Sequence, residues 1–133
     1  MKVFLDTNVI VSAVATRGIC ADLFQAILAE HELVLGETVL GELRTVLGRK
    51  MRIPRTTIEE LDAFLRTHAA VVKVGTPPRV KGLTPADASV LGEAVAAGAE
   101  ILITGDRDLL DLPHPPLQIV SPRGMWDVMR RAT

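Results

Sequence analysis

The chain has 133 residues, 48% of them hydrophobic and 23% charged, which excludes a disordered polymer and suits one domain, residues 1–133, built on a single core. A formal net charge of −1 excludes a protein that holds nucleic acid by overall basicity, so a phosphate-bearing partner has to be met by a local basic patch or a metal ion. The one cysteine, Cys20, excludes an internal disulfide and fits a reducing compartment.

The first element, Lys-Val-Phe-Leu at residues 2–5, is a short β-branched and aromatic run that reads as a buried strand. It is broken by Asp6-Thr7-Asn8, and Asn8 is the only asparagine in the chain. These polar residues come too early for the apolar core of a secretory signal. No stretch approaches the roughly 18 uninterrupted apolar residues of a membrane span. The expectation is a cytoplasmic protein away from membranes, and a mean hydropathy of +0.30 points to an apolar surface used for self-association.

Residues 7–15 and then 20–31 carry helical spacing, with Leu23, Phe24, Ile27 and Leu28 on one face. A second strand at 32–36 ends in glycine. Helices follow over 37–50 and 55–68, separated by Ile53-Pro54, and a third strand over 69–74 leads into a loop at 75–83. Thr84 as N-cap and Pro85 at the first helical position open a helix that stops at Gly98. A fourth strand over 100–104, a loop with a short helical turn, a fifth strand over 117–120 and a closing helix over 122–131 complete the chain. Short apolar strands alternating with longer helices predict an α/β domain with a mostly parallel five-stranded sheet.

In such a sheet ligands bind beyond the carboxyl ends of the strands, and the acidic residues sort to that edge. Asp6 follows the first strand directly. Glu42 lies in the helix after the second, Asp87 in the first turn of the helix leading to the fourth, and Asp106 after the fourth with Asp108 two residues on. At about 100° per residue, Asp87 shares a face with Val90, Leu91 and Ala94, and Glu42 borders the stripe of Val39, Leu43 and Val46. Singly, each has a plainer reading: Asp87 as part of a capping box, Asp106 and Asp108 as turn residues, Glu42 as a solvated helix residue. Asp6 resists one, because the end of a central strand is a costly place for an unpaired charge. Converging carboxylates repel each other and lose hydration, and a divalent cation relieves both. Oxygen donors suit Mg²⁺ or Mn²⁺, while His31, His68 and His114 form no zinc pattern.

Four motifs in order carry a family resemblance. "VFLDTNVIVSAV" resembles the opening motif of PIN-domain proteins, "TVLGELRTVL" their second acidic motif, and "PADASVLGEAVAAGAEILITGDRDLL" the third and fourth. The resemblance spans Val3 to about Val120. It implies a three-layer α/β/α, Rossmann-like fold and a metal-dependent ribonuclease in which Asp6, Glu42, Asp87 and Asp106 hold one or two Mg²⁺ or Mn²⁺ ions. It also implies a VapC-like toxin of a toxin–antitoxin pair, with an antitoxin protein as partner and a homodimer as assembly. Some members have an Asp pair where this chain has Ala86-Asp87, which leaves one acid fewer here.

The chemistry expected is in-line attack of an activated water on an RNA phosphodiester, giving 5′-phosphate and 3′-hydroxyl ends. Asp6 is the first choice as ligand, with Asp106 beside it and Glu42 and Asp87 acting through waters. Thr7, Asn8 and Thr104 are candidates to hydrogen-bond the carboxylates or a substrate phosphate, with Asp108 in support. Arg44, Arg49, Lys50, Arg52 and Arg55 form the densest basic stretch, readable as contact to an RNA backbone or as a solvated corner between helices. With no tyrosine and four other aromatics (Phe4, Phe24, Phe64, Trp126), base stacking is a poor main reading mode. A catalytically silent RNA- or partner-binding module is the alternative. A phosphatase with an aspartyl-phosphate intermediate is a weaker one, since it wants an acid where Asn8 stands.

Overall fold

The computed structural model describes residues 1–131. Strand β1 (Lys2–Leu5) is followed by helices α1 (Thr7–Ala15) and α2 (Ile19–Glu30), strand β2 (Glu32–Gly36), and helices α3 (Glu37–Thr45) and α4 (Arg55–His68). Strand β3 (Ala69–Val72), α5 (Pro85–Ala96), β4 (Ile101–Ile103), the short α6 (Arg107–Leu110), β5 (Gln118–Val120) and α7 (Pro122–Arg131) complete it. The sheet order is β3-β2-β1-β4-β5. All four pairings are parallel, so the sheet is fully rather than mostly parallel. Every connection between strands contains a helix, and none is the tight turn an antiparallel pair would need.

Continuous apolar runs make these strands because both faces of the sheet are covered. Val3, Phe4 and Leu5 of β1 are wholly buried, and Leu33, Val34, Leu35, Ile101, Leu102 and Ile103 nearly so. Each large side chain so buried contributes about 1.5–3 kcal/mol. Right-handed crossovers send the connections β1→β2→β3 over one face, where α2 packs on β2 and α7. The long return from β3 to β4 runs over the other, where α5 packs on β2. This is the three-layer arrangement. Among the described residues, no single helix is long and apolar enough to cross a membrane.

The ends of α5 follow their local chemistry. The Thr84 hydroxyl accepts from the Asp87 amide at 3.2 Å, and Pro85 opens the helix. Gly98, at φ +72°, takes the left-handed position that closes it, with Ala99 N–H donating to the Ala94 carbonyl at 3.1 Å.

The segment expected as one helix over 37–50 divides. Helix α3 ends at Thr45, and Val46–Lys50 forms a π-helical turn closed by Met51 N–H on the Val46 carbonyl at 3.1 Å. The wider turn keeps Leu47 in the core while the chain reverses at Arg52, φ +53°, before Pro54 starts α4. Charges then lace α4 to α3. Arg66 forks onto Glu37 at 2.7 and 2.9 Å and onto Asp62 at 2.9 Å, and Arg44 reaches Glu59 at 3.1 Å and Asp62 at 3.4 Å.

Candidate metal centre

Strands β1 and β4 are neighbours whose connections leave in opposite directions, and a crevice opens beyond their carboxyl ends. Asp6 sits there, only 5% exposed. Its N–H continues the ladder to the Ile103 carbonyl at 2.9 Å, and its side chain caps α1 by accepting from Thr7 N–H at 2.8 Å. The other oxygen accepts from the fully buried Thr104 hydroxyl at 2.6 Å and from Asn8 Nδ2 at 3.4 Å. Thr104 Oγ1 accepts in turn from Asp106 N–H at 3.0 Å, and Asn8 Oδ1 from Gly105 N–H at 3.1 Å. The polar triplet after β1 is thus tied to the loop after β4. Burial pushes the Asp6 carboxyl above its ordinary value; the bonds from Thr104 and Thr7 pull the other way, and Asp106 adds to the rise.

Glu42 projects from α3 and accepts from the Thr7 hydroxyl on Oε2 at 3.3 Å. Its Oε1 is buried with no hydrogen-bond partner among the described residues. Burial and then the Asp6 charge hold this carboxyl above its usual range. Asp87 is raised as well, by burial and then by Asp106. Asp106 caps α6 and accepts from Asp108 N–H at 2.9 Å.

Asp6, Glu42, Asp87 and Asp106 all line one cleft of about 500 Å³, with Val11 and Met51 among its walls. Asp87, Asp106 and Asp108 each offer an oxygen within 4.8 Å of the others. Asp108, a supporting residue in the sequence reading, belongs to this trio, whereas Asp6 and Glu42 do not. Among the described residues no lysine or arginine forms an ion pair with these acids. An orphaned buried oxygen, uncompensated like charges and a donor set made of oxygen atoms together fit a hard divalent cation.

The basic stretch separates into two groups. Arg44 is committed to Glu59 and Asp62, and Arg55 to Glu59 at 3.8 Å. Arg49, Lys50 and Arg52 are exposed, and Lys50 lines a second hollow that shares Glu42 and Val46 with the acidic cleft.

One residue escaped the sequence reading. Glu93 is 2% exposed, and its carboxylate accepts from Thr38 N–H at 3.0 and 3.3 Å. Its spacing of three from the buried Val90 was the only local signal.

A PIN domain family model matches residues 2–108. No curated protein matches the chain by sequence. Among solved structures, VapBC2 of Rickettsia felis, bound to a DNA fragment from its promoter, is similar at TM-score 0.65 and 16% identity, over 91% of this chain and 98% of that one. VapBC-1 of nontypeable Haemophilus influenzae is similar at TM-score 0.60 and 18% identity, over 92% and 99%. PAE2754 of Pyrobaculum aerophilum is similar at TM-score 0.63 and 18% identity, over 100% and 91%. At these identities the likeness is one of fold.

Proposed function

Since the chain belongs to the PIN-domain family, we propose that it is a Mg²⁺- or Mn²⁺-dependent endoribonuclease, the toxin of a toxin–antitoxin pair. The observation that carries the reading is the set of mutually repelling, partly buried carboxylates at the carboxyl edge of β1 and β4. Similarity to VapBC structures supports an antitoxin protein as partner. A cytoplasmic homodimer is the assembly that goes with this role.

Asp6, Glu42, Asp87 and Asp106, with Asp108 beside them, would hold the cation. When bound, the cation supplies the positive charge that polarises the phosphodiester and acidifies the attacking water. Thr104 and the Thr7 amide orient the Asp6 carboxylate, and Asn8 keeps the loop after β4 against it. Glu42, with Oε1 lacking a hydrogen-bond partner among the described residues, would reach the cation through a water and orient the attacking water, whose proton passes to solvent. The P–O3′ bond breaks and the leaving 3′-oxygen takes a proton from solvent water, giving a 5′-phosphate and a 3′-hydroxyl.

The test is cleavage of a single-stranded RNA with Mn²⁺ or Mg²⁺ and with EDTA, followed by mapping of the cut ends. Cleavage that EDTA abolishes, with 5′-phosphate products, is expected. Cleavage indifferent to EDTA sinks the metal mechanism, and RNA binding without cleavage under either metal turns the reading to a silent binding module.

Within the basic stretch, Arg49, Lys50 and Arg52 are exposed and outside its ion pairs, and they would meet the RNA backbone. Arg49→Ala with Lys50→Ala is expected to weaken RNA binding about tenfold. It should also flatten the slope of log K against log salt by about 1.4, from two lost phosphate contacts on a single strand. Filter binding across a salt series reads both, and an unchanged slope removes this turn from the substrate path.

A further inference from the structure

Helix α3 begins without a cap of its own. Gly36 stands at its N-cap position and has no side chain to accept from the first-turn amides. The acceptor arrives from another helix. Glu93 of α5 places both carboxylate oxygens on Thr38 N–H, at 3.0 and 3.3 Å, in a site where Glu93 is 2% exposed. The missing Gly36 side chain is what admits it: a Cβ there would lie 2.5 Å from the Glu93 carboxyl carbon and Oε1. The positive end of α3 favours a negative charge at this point. Among the described residues, no lysine or arginine forms an ion pair with Glu93.

The two helices joined by this contact carry two acids of the cleft. Glu42 lies four residues beyond Thr38, about one helical turn, and Asp87 lies six residues before Glu93 on α5. The Glu93 charge is also felt at Glu42. A cation held between α3 and α5 is sensitive to small shifts of either helix, because Mg²⁺ and Mn²⁺ demand fixed oxygen geometry.

We infer that Glu93 is a positioning residue of the metal centre: by capping α3 from α5 through the gap at Gly36, it sets the placement of Glu42 relative to Asp87 and so the affinity for the divalent cation. The inference rests on the proposed metal-dependent activity and deepens it, because it assigns a buried acid outside the cleft to the same cation.

Calorimetric titration of the full chain with Mn²⁺ tests it, with thermal unfolding of the apo protein measured in parallel. Glu93→Ala is expected to lower the apo Tm and to raise the Mn²⁺ Kd about tenfold. Glu93→Gln, which keeps an acceptor oxygen of the same reach, should raise Kd only about threefold. A simple helix cap would move Tm and leave Kd alone, so wild-type Mn²⁺ affinity in either folded variant overturns the inference. If Glu93→Ala does not fold, the near-isosteric Glu93→Gln decides by the same criterion. Failure of the wild type itself to bind Mn²⁺ would overturn the proposed function instead, which keeps the two failures apart.

Discussion

Asp6→Asn is expected to reduce metal-dependent RNA cleavage by at least about 10³-fold, equivalent to roughly 4 kcal/mol of transition-state stabilisation, while the protein stays folded. Two features argue for the fold surviving. Asparagine caps a helix about as well as aspartate, so the bond from Thr7 N–H to the side chain has a replacement. With the amide oxygen on Thr7 N–H, the Nδ2 group stands where the other carboxylate oxygen was and can donate to the Thr104 hydroxyl, so that contact survives with its direction reversed. Activity has no such replacement, because the neutral amide removes the most deeply buried charge of the cleft. A single-turnover cleavage assay alongside circular dichroism reads both, and a folded variant that cuts at the wild-type rate would remove Asp6 from the site.

The second large effect is on stability without metal. Burial holds Asp6 and Glu42 above their ordinary values of 3.8 and 4.5, and burial and Asp106 raise Asp87. In the window between the unfolded and the raised folded values, the folded chain binds more protons than the unfolded one. The stabilising contribution of these groups is therefore fully present below their ordinary values and is lost as pH rises through the raised ones. Glu37 opposes this: hydrogen bonding to Arg66 lowers it, so its contribution is lost as pH falls. It is a surface pair, however, screened and of small weight. The apo protein is accordingly expected to lose stability relative to apo Asp6→Asn as pH rises above the ordinary Asp6 value of 3.8 and through its raised folded value. Mn²⁺ at about 100 times its Kd should return roughly 2.7 kcal/mol, about 10 °C in Tm for a chain of this size. Scanning calorimetry of both proteins over this pH range, with and without Mn²⁺, checks the sign. A gap between them that shrinks as pH rises, or a wild-type Tm indifferent to Mn²⁺, contradicts the account.

Local information carried a good part of the fold and of the cleft. The run Val3-Phe4-Leu5 ending at Asp6, and Ile101-Leu102-Ile103 ending at Thr104 and Asp106, each mark a strand and the acid at its carboxyl end. Thr84, Pro85 and Gly98 delimit α5 by capping chemistry acting within a few residues. The π-helical turn at Val46–Lys50 was not legible in this way, because its apolar spacing is that of an ordinary helix. What widens it is the packing of Leu47 and the reversal at Arg52. Arg44 looked like a free cation because its partners Glu59 and Asp62 lie on a helix whose position relative to α3 is a tertiary fact, whereas Arg55 and Glu59 form an i,i+4 pair within α4 that a local reading could have found.

The sequence by itself determined the alternation of strands and helices and the acids that follow the strands, since both depend on residues within one or two turns of each other. Only the tertiary structure decided how those acids group: Asp108 with Asp87 and Asp106, and Asp6 held by Thr104 from 98 residues away. It alone gave meaning to Glu93 and Gly36, an acid and a missing side chain 57 residues apart in the chain. A buried acid needs an amide to receive it and an empty volume to enter, and these are supplied by Thr38 of α3 and Gly36 at the end of β2, which the local sequence of α5 cannot specify.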